Sequence, residues 1–230
     1  MTIKIDLKIF LFLAIFIITR QIEIYALLMI FALIHELGHF FMGLFLGFKP
    51  EALSIIPTGF SISFKAECTN YNVKIKQGNL LAIKQTLIAL AGPLTNIILI
   101  IILFIYNMIT QNQTLLNIPL DLMIYANILL FIFNMIPIYP LDGGRILKNI
   151  TYIFLGLKSS YIITNKISNI IIIILTALAS IFVLMYKNIA IILIIIYLWV
   201  IIIRENRRFN SKIKIINLIS QKNIEKNVNS

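Results

Sequence analysis

The apolar run from Ile24 to Phe48 is long enough to cross a bilayer, which takes a helix of ~20 residues. Hydrocarbon offers the backbone no hydrogen-bond partners, so a lone spanning segment must close its own N–H and C=O groups as a helix. Into this run are set His35, Glu36 and His39, which read His-Glu-x-x-His; the chain has no other histidine. Residues four apart on a helix stand one above the other, so both imidazoles can reach one metal ion. Glu36 lies beside the ligand pair, which suits a general base acting on water. In a soluble chain such a match is often accidental. In the middle of a span each ionisable group costs free energy, and such groups mark function.

The rest of the chain supports a membrane setting. With 60% hydrophobic and 13% charged residues and a mean hydropathy of +0.97, it reads as an all-α polytopic membrane protein of six helices in one domain. Cys68 is the single cysteine, so neither an internal disulfide nor a thiolate metal site is expected. The first span is Leu7–Thr19. It is expected to be uncleaved, because the bulky, charged Thr19-Arg20-Gln21-Ile22-Glu23 follows it. The second is Ile24–Phe48, with Gly38, Gly43 and Gly47 permitting close helix approach. In the polar stretch that follows, Phe60, Ile62 and Phe64 alternate with Ser61, Ser63 and Lys65 after the turn residues Pro57-Thr58-Gly59. That period of two predicts a small hairpin-like strand, serving either as a substrate-pairing edge or as plain surface.

The third span starts at Leu81 or Thr86, ends near Ile109 and contains Ala91-Gly92-Pro93-Leu94-Thr95-Asn96. Its Gly-Pro pair predicts a kink and freed backbone groups. The fourth starts near Leu120 and is broken between Asn134 and Arg145 by Pro137, Pro140, Gly143 and Gly144. Broken backbone at membrane depth is tolerated where it lines a cavity. A mixed stretch leads to Lys166. Spans five and six are Ile167–Tyr186 and Ile189–Ile203, with Tyr197 and Trp199 as interfacial anchors. Residues 1–204 form the membrane domain on this reading. Residues 205–230 form a basic cytoplasmic tail, either disordered or laid as a short helix on lipid.

Six spans with both termini in the cytoplasm place 18 of the 20 basic residues inside, leaving only Arg20 and Lys187 outside. The net charge of +11 is therefore loop charge next to the bilayer rather than a nucleic-acid surface. Spans two and four then run in the same direction, and His35, His39 and Asp142 fall at similar depth near the cytoplasmic face. A catalytic zinc takes three protein ligands and keeps one position open. Among the nine acidic residues, Asp142 is the one at that depth on a broken span. It is either the third ligand or the cap of a new helix, and the roles are compatible.

Three motifs together, His35-Glu36-Leu37-Gly38-His39, Ala91-Gly92-Pro93 and Asn134 leading to Pro140-Leu141-Asp142-Gly143-Gly144, resemble the site-2 protease family of intramembrane metalloproteases. The likeness covers roughly residues 5–210 and is nearest the branch that processes sporulation factors. It implies Zn2+ on His35, His39 and Asp142, with Glu36 activating water. It also implies Asn134, with Pro140 in the same broken segment, holding the substrate extended. The substrate it implies is membrane-associated, such as a pro-sigma factor, restrained by inhibitory membrane partner proteins. That branch typically carries a nucleotide-sensing CBS domain after its last span, and none is expected in residues 205–230. The competing reading is a divalent-cation or proton transporter using intramembrane His and Asp; a zinc-stabilised scaffold is a third.

Overall fold

The computed structural model describes residues 2–5, 10, 13–14, 17–18, 22–56, 59–65, 78–111, 113–115, 118–186 and 189–228. Most of the expected first span (7–19), the turn residues Pro57 and Thr58, and Cys68 lie outside the described residues. In chain order the elements are β1 (Thr2–Ile5), α1 (Ile22–Phe45), β2 (Lys49–Ile56), β3 (Gly59–Lys65) and α2 (Gly78–Thr110). There follow the two-residue strands β4 (Thr114–Leu115) and β5 (Ile118–Pro119), then α3 (Leu120–Met135), α4 (Asp142–Tyr186) and α5 (Ile189–Val228). They divide into two compact units, residues 1–136 and 137–230.

In the first unit, α1 packs against both α2 and α3. The apolar core between them is built from Leu27, Phe31, Leu103, Leu120, Met123 and Leu130. Further along α1 the contact tightens. A Cβ on Gly38 would fall 2.1 Å from Thr95 Oγ1 and 2.9 Å from the Ala91 carbonyl oxygen. Any larger residue would push α2 away, which is how a small residue sets helix spacing where lipid supplies no hydrophobic drive. Thr95 returns its hydroxyl to Ala91 O at 2.8 Å, so the seam carries a satisfied polar group.

The expected strand is present as β3. It is one edge of a three-stranded sheet ordered β1-β2-β3, with β1 parallel and β3 antiparallel to β2. The hairpin is thus extended by a strand from the N-terminus that the sequence pattern does not announce. Phe64 fixes the sheet to the helices: its ring lies where a side chain on Gly43 would stand, 2.2–3.0 Å from the Cβ position, and edge-on to Phe48.

In the second unit the break falls at the prolines, whereas Gly143 and Gly144, expected within it, lie in the first turn of α4. Residues 136–141 are non-helical, and α4 starts at Asp142. The stretch from Arg145 to Lys166, expected to be mixed, is instead helical, interrupted only at Gly156, whose φ of 80° is open to glycine at little steric cost. The tail is helical too, since α5 continues through residue 228. Its partner surface explains why. Trp199 Nε1 donates to Thr176 Oγ1 at 3.0 Å, Asn206 Nδ2 donates to Asn169 Oδ1 at 2.8 Å, and Phe209, 2% exposed, is buried in the same unit.

Helices α1 and α2 and the stretch 142–185 are long and apolar enough to cross a membrane, and α3 is a shorter apolar helix. Large apolar side chains face outward, such as Phe45 at 85% and Ile109 at 77% exposure. That is the reverse of a water-soluble helix surface and suits contact with lipid.

Candidate metal centre

Helix α1 points His35 and His39 toward α2, and both are buried. Their Nε2 atoms stand 3.2 Å apart, with the rings nearly perpendicular at 86°. Two nitrogens held ~2.0–2.1 Å from one tetrahedral zinc would be about 3.3–3.4 Å apart, so the spacing is already that of a shared ion.

The other ring nitrogens decide whether those lone pairs are free. His39 Nδ1 lies 2.6 Å from the Ile88 carbonyl oxygen and 3.3 Å from the Gly92 nitrogen. One nitrogen cannot donate to the carbonyl and accept from the amide at once. The shorter contact governs, so Nδ1–H donates to Ile88 and Nε2 is left unprotonated. His35 Nδ1 faces the Asn96 side-chain amide at 3.1 Å. As placed, Asn96 presents its nitrogen, and its Oδ1, in a residue with no solvent exposure, has no partner. A half-turn of the amide, which exchanges two nearly indistinguishable atoms, turns that oxygen toward His35. His35 Nδ1–H then donates to it, the orphaned oxygen is satisfied, and the second Nε2 lone pair is released.

Gly92 completes the arrangement. A Cβ there would fall 2.4 Å from His39 Nε2 and 2.5 Å from His35 Nε2, so the space over both nitrogens exists only because residue 92 has no side chain. Pro93 follows inside α2 and withholds the N–H that would close the next helical bond. The Gly-Pro pair, expected from sequence to kink the span, lies within a helix that runs unbroken from Gly78 to Thr110 and sits beside the imidazoles. Ile88, Gly92 and Asn96 lie one turn apart along α2 and meet the histidines as one stripe. Sequence reasoning singles out Gly92 for the kink and passes over Ile88 and Asn96. The spacing of 88, 92 and 96 is the signal that could have found them.

Glu36 is buried at 6% exposure. Its Oε2 lies 4.0 Å from His39 Nε2, too far for a hydrogen bond and close enough for one water to bridge. In the second unit, Asp142 is the first residue of α4 and is 5% exposed. That end of a helix favours a carboxylate. Arg145 holds the segment before it: Nε donates to Pro140 O at 2.9 Å, and Nη1 lies 3.9 Å from Asp142 Oδ1. Gly144 lets the loop close, since a Cβ there would strike the Ile138–Tyr139 backbone at 2.3 Å. Tyr139 N–H donates to Ser168 Oγ at 3.1 Å. Asn134 is half-buried on the last turn of α3, its amide nitrogen donating back to Leu130 O at 3.0 Å. Pro140 is half-buried in the loop.

The two buried imidazoles fit zinc, which takes histidine nitrogens at catalytic sites. The prepared Nε2 pair and the cradle at Gly92 make the same point from geometry.

Known proteins agree with this chemistry. The chain matches Peptidase family M50 over residues 23–119 and 108–179. It is 32% identical over 148 residues to zinc metalloprotease MJ0392 of Methanocaldococcus jannaschii, covering 63% of this chain and 38% of that protein. It is 25% identical over 130 residues to stage IV sporulation protein FB of Bacillus subtilis, covering 56% and 41%. The chain thus aligns with about two fifths of the length of these relatives. Among solved structures, the site-2 protease from Methanocaldococcus jannaschii superposes with a TM-score of 0.66 at 26% identity, over 89% of this chain and 90% of that one.

Proposed function

The chain belongs to Peptidase family M50, a multi-pass membrane protein of the site-2 protease kind, and from that premise we propose that it is an intramembrane zinc endopeptidase. It hydrolyses a peptide bond of a membrane-associated protein near the cytoplasmic face. The observation that carries this reading is the pair of Nε2 atoms 3.2 Å apart under Gly92, with the Glu36 carboxylate 4.0 Å from one of them. A transporter has no need of a carboxylate placed there.

His35, His39 and Asp142 would hold the zinc. When bound, the ion supplies Lewis-acid polarisation of a carbonyl and makes water more acidic. Glu36 accepts a proton from the attacking water as the oxygen–carbon bond forms. It then delivers that proton to the amide nitrogen as the carbon–nitrogen bond breaks, leaving a carboxylate and an amine. Ile88 and Asn96 keep the Nδ1 protons in place so that the Nε2 atoms stay available. Burial of Glu36 keeps bulk water from competing for the proton.

A helical substrate hides its peptide bonds and must become extended first. The outer edge of β3, tied to α1 through Phe64 and Gly43, is suited to receive it, and so is the broken segment with Asn134 and Pro140. Either could pair with an extended strand. A pro-sigma factor as substrate, with inhibitory membrane partners, is supported by the likeness to a sporulation protein. Six spans with cytoplasmic termini, in a domain of residues 1–204 with a basic tail at 205–230, are supported by the 18-to-2 split of basic residues.

The test is Glu36→Gln, which keeps side-chain shape but cannot take a proton at neutral pH. Cleavage of a co-expressed pro-protein should fall by on the order of 10² to 10⁴, with one zinc still bound. Wild-type cleavage by a zinc-loaded Glu36→Gln protein would overturn the assignment and favour transport.

A further inference from the structure

Ser168 stands far along α4 from Asp142, yet its Oγ accepts the Tyr139 N–H at 3.1 Å. One straight helix between residues 142 and 168 would be ~39 Å long at ~1.5 Å per residue. The chain must therefore double back between them, and Gly156, with φ 80° and ψ 175°, is the non-helical point in α4. The later arm of α4 thus returns to the loop that leads into its earlier arm. Ser168 is 3% exposed, and Ile138, next to its partner, is fully buried.

A helix broken in a membrane protein frees backbone groups that hydrocarbon cannot satisfy. Some of that need is met locally. Leu141 N–H donates to Ile138 O at 2.8 Å, Arg145 N–H to Leu141 O at 2.9 Å and Arg145 Nε to Pro140 O at 2.9 Å. Such short-range ties would travel with the loop if it moved. Ser168 instead reaches in from the later arm, and the peptide it holds is the one on which the first turn of α4 rests. A Cβ on Gly144 would fall 2.3 Å from both Tyr139 N and Ile138 C. A shift of that peptide therefore moves the turn that begins with Asp142. The Tyr139 ring also packs on Phe209 at 4.9 Å, but a ring contact is less demanding of direction than a hydrogen bond.

We propose that Ser168 is a positioning residue for Asp142, fixing through the Tyr139 amide the loop that sets the place of the carboxylate. The inference rests on the reading of Asp142 as a zinc ligand. Ser168 acts through the loop rather than on the ion. Its hydroxyl holds the Asp142 turn in one arrangement, so its loss should weaken zinc binding while helix content stays.

The experiment measures zinc affinity of the full detergent-solubilised chain by competition with a chromogenic chelator, below the melting transition. Ser168→Val and Ser168→Thr have the same shape, and only threonine keeps the accepting oxygen. Ser168→Val should bind zinc about tenfold more weakly, the scale of losing a supporting partner of a metal ligand, while Ser168→Thr should stay close to wild type. Ser168→Ala, which removes the oxygen without adding bulk, should match Ser168→Val. Thr151→Val removes a hydroxyl bonded to Leu147 O and Lys148 O of its own helix and should leave zinc unchanged. In an Asp142→Ala background Ser168→Val should add nothing, because residues that act through one another are not additive. A merely structural serine would lower the melting temperature without this dependence on Asp142. Equal weakening with and without Asp142, Ser168→Thr as weak as Ser168→Val, or wild-type affinity in both Ser168→Val and Ser168→Ala would overturn the proposal. If Asp142→Ala alone binds zinc as wild type does, the ligand reading itself has failed, and the positioning role falls with it.

Discussion

Replacing Gly92 by alanine sets two opposing effects against each other at the metal site. In a helix interior the change should help, by up to ~1 kcal/mol of helix propensity. Here the added methyl would stand 2.4 Å from His39 Nε2, 2.5 Å from His35 Nε2 and 2.5 Å from His39 Cε1. Ordinary carbon contacts sit near ~3.5 Å or beyond, so the overlap is about 1 Å against three atoms. Overpacking of that kind costs ~1–3 kcal/mol, and the net effect on stability should be a loss of no more than about 2 kcal/mol, which a folded chain survives. The effect on zinc should be much larger, because the methyl claims the approach to both lone pairs. Loss of a supporting hydrogen bond alone weakens metal binding 10–100-fold, so Gly92→Ala should exceed about 100-fold. Competition against a chromogenic chelator, with a melting curve on the same sample, measures both quantities. Gly47→Ala is the control: its φ is 85° with nothing within 4 Å of the Cβ position, so it should strain the backbone and leave zinc alone. If Gly92→Ala binds zinc as wild type does, the imidazole pair is not the metal site.

Asn96→Leu removes the amide facing His35 Nδ1 and should weaken zinc binding about 10–100-fold at nearly unchanged helix content; wild-type affinity would show that Asn96 is only packing. Asp142→Ala separates its two readings: a ligand's loss lowers zinc stoichiometry, whereas a helix cap's loss lowers stability by ~1 kcal/mol with zinc intact. Phe209→Ala opens a cavity at a 2% exposed ring and should cost about 3–5 kcal/mol in denaturant unfolding. Reporter fusions at Gln113 and Lys158 should report opposite sides of the membrane, and the same side for both would refute six spans.

The elements legible in the sequence are those whose signal is local. An apolar run bounded by charges declares α1, α2 and α3, and Pro137 and Pro140 declare the break before α4, while Gly143 and Gly144 fall in its first turn. Strand β3 shows itself by alternation. β1 does not, because four residues carry little period, and its partner in the parallel pair, Ala52–Ile55, lies some fifty residues away. The helix from Arg145 to Lys166 is obscured by its polarity. Its charged residues suggest a loop, whereas here they ride on a helix that packs against α5 through Tyr161 and Phe209. The tail shows the same limit: Phe209 is one aromatic in a basic stretch until Tyr139 and Tyr161 flank it.

At the site, what can be read is what a single helix can state. His35 and His39 share a face of α1 by spacing alone, and Glu36 takes its place beside them from the same spacing. What cannot be read is the chemistry that a second helix does to the first. A histidine binds metal only through an unprotonated nitrogen, and which nitrogen that is depends on what the other one meets. Those partners are a carbonyl at Ile88, which no side-chain pattern displays, and an amide at Asn96, one of many asparagines in the chain. Both depend on α2 approaching closely enough, and that approach rests on two missing side chains, at Gly38 on α1 and Gly92 on α2. Pro93 is visible as a helix breaker, yet its neighbour matters more: a kink could be produced by many sequences, but only glycine at 92 leaves both Nε2 atoms open. The same reasoning ranks the α2 variants on zinc: Gly92→Ala most severe, Asn96→Leu next, and changes at Ile88 mild unless they move its backbone carbonyl. Zinc titration of the three should return that order, and an Ile88→Ala protein as deficient as Gly92→Ala would show that side-chain packing, not the carbonyl, positions His39.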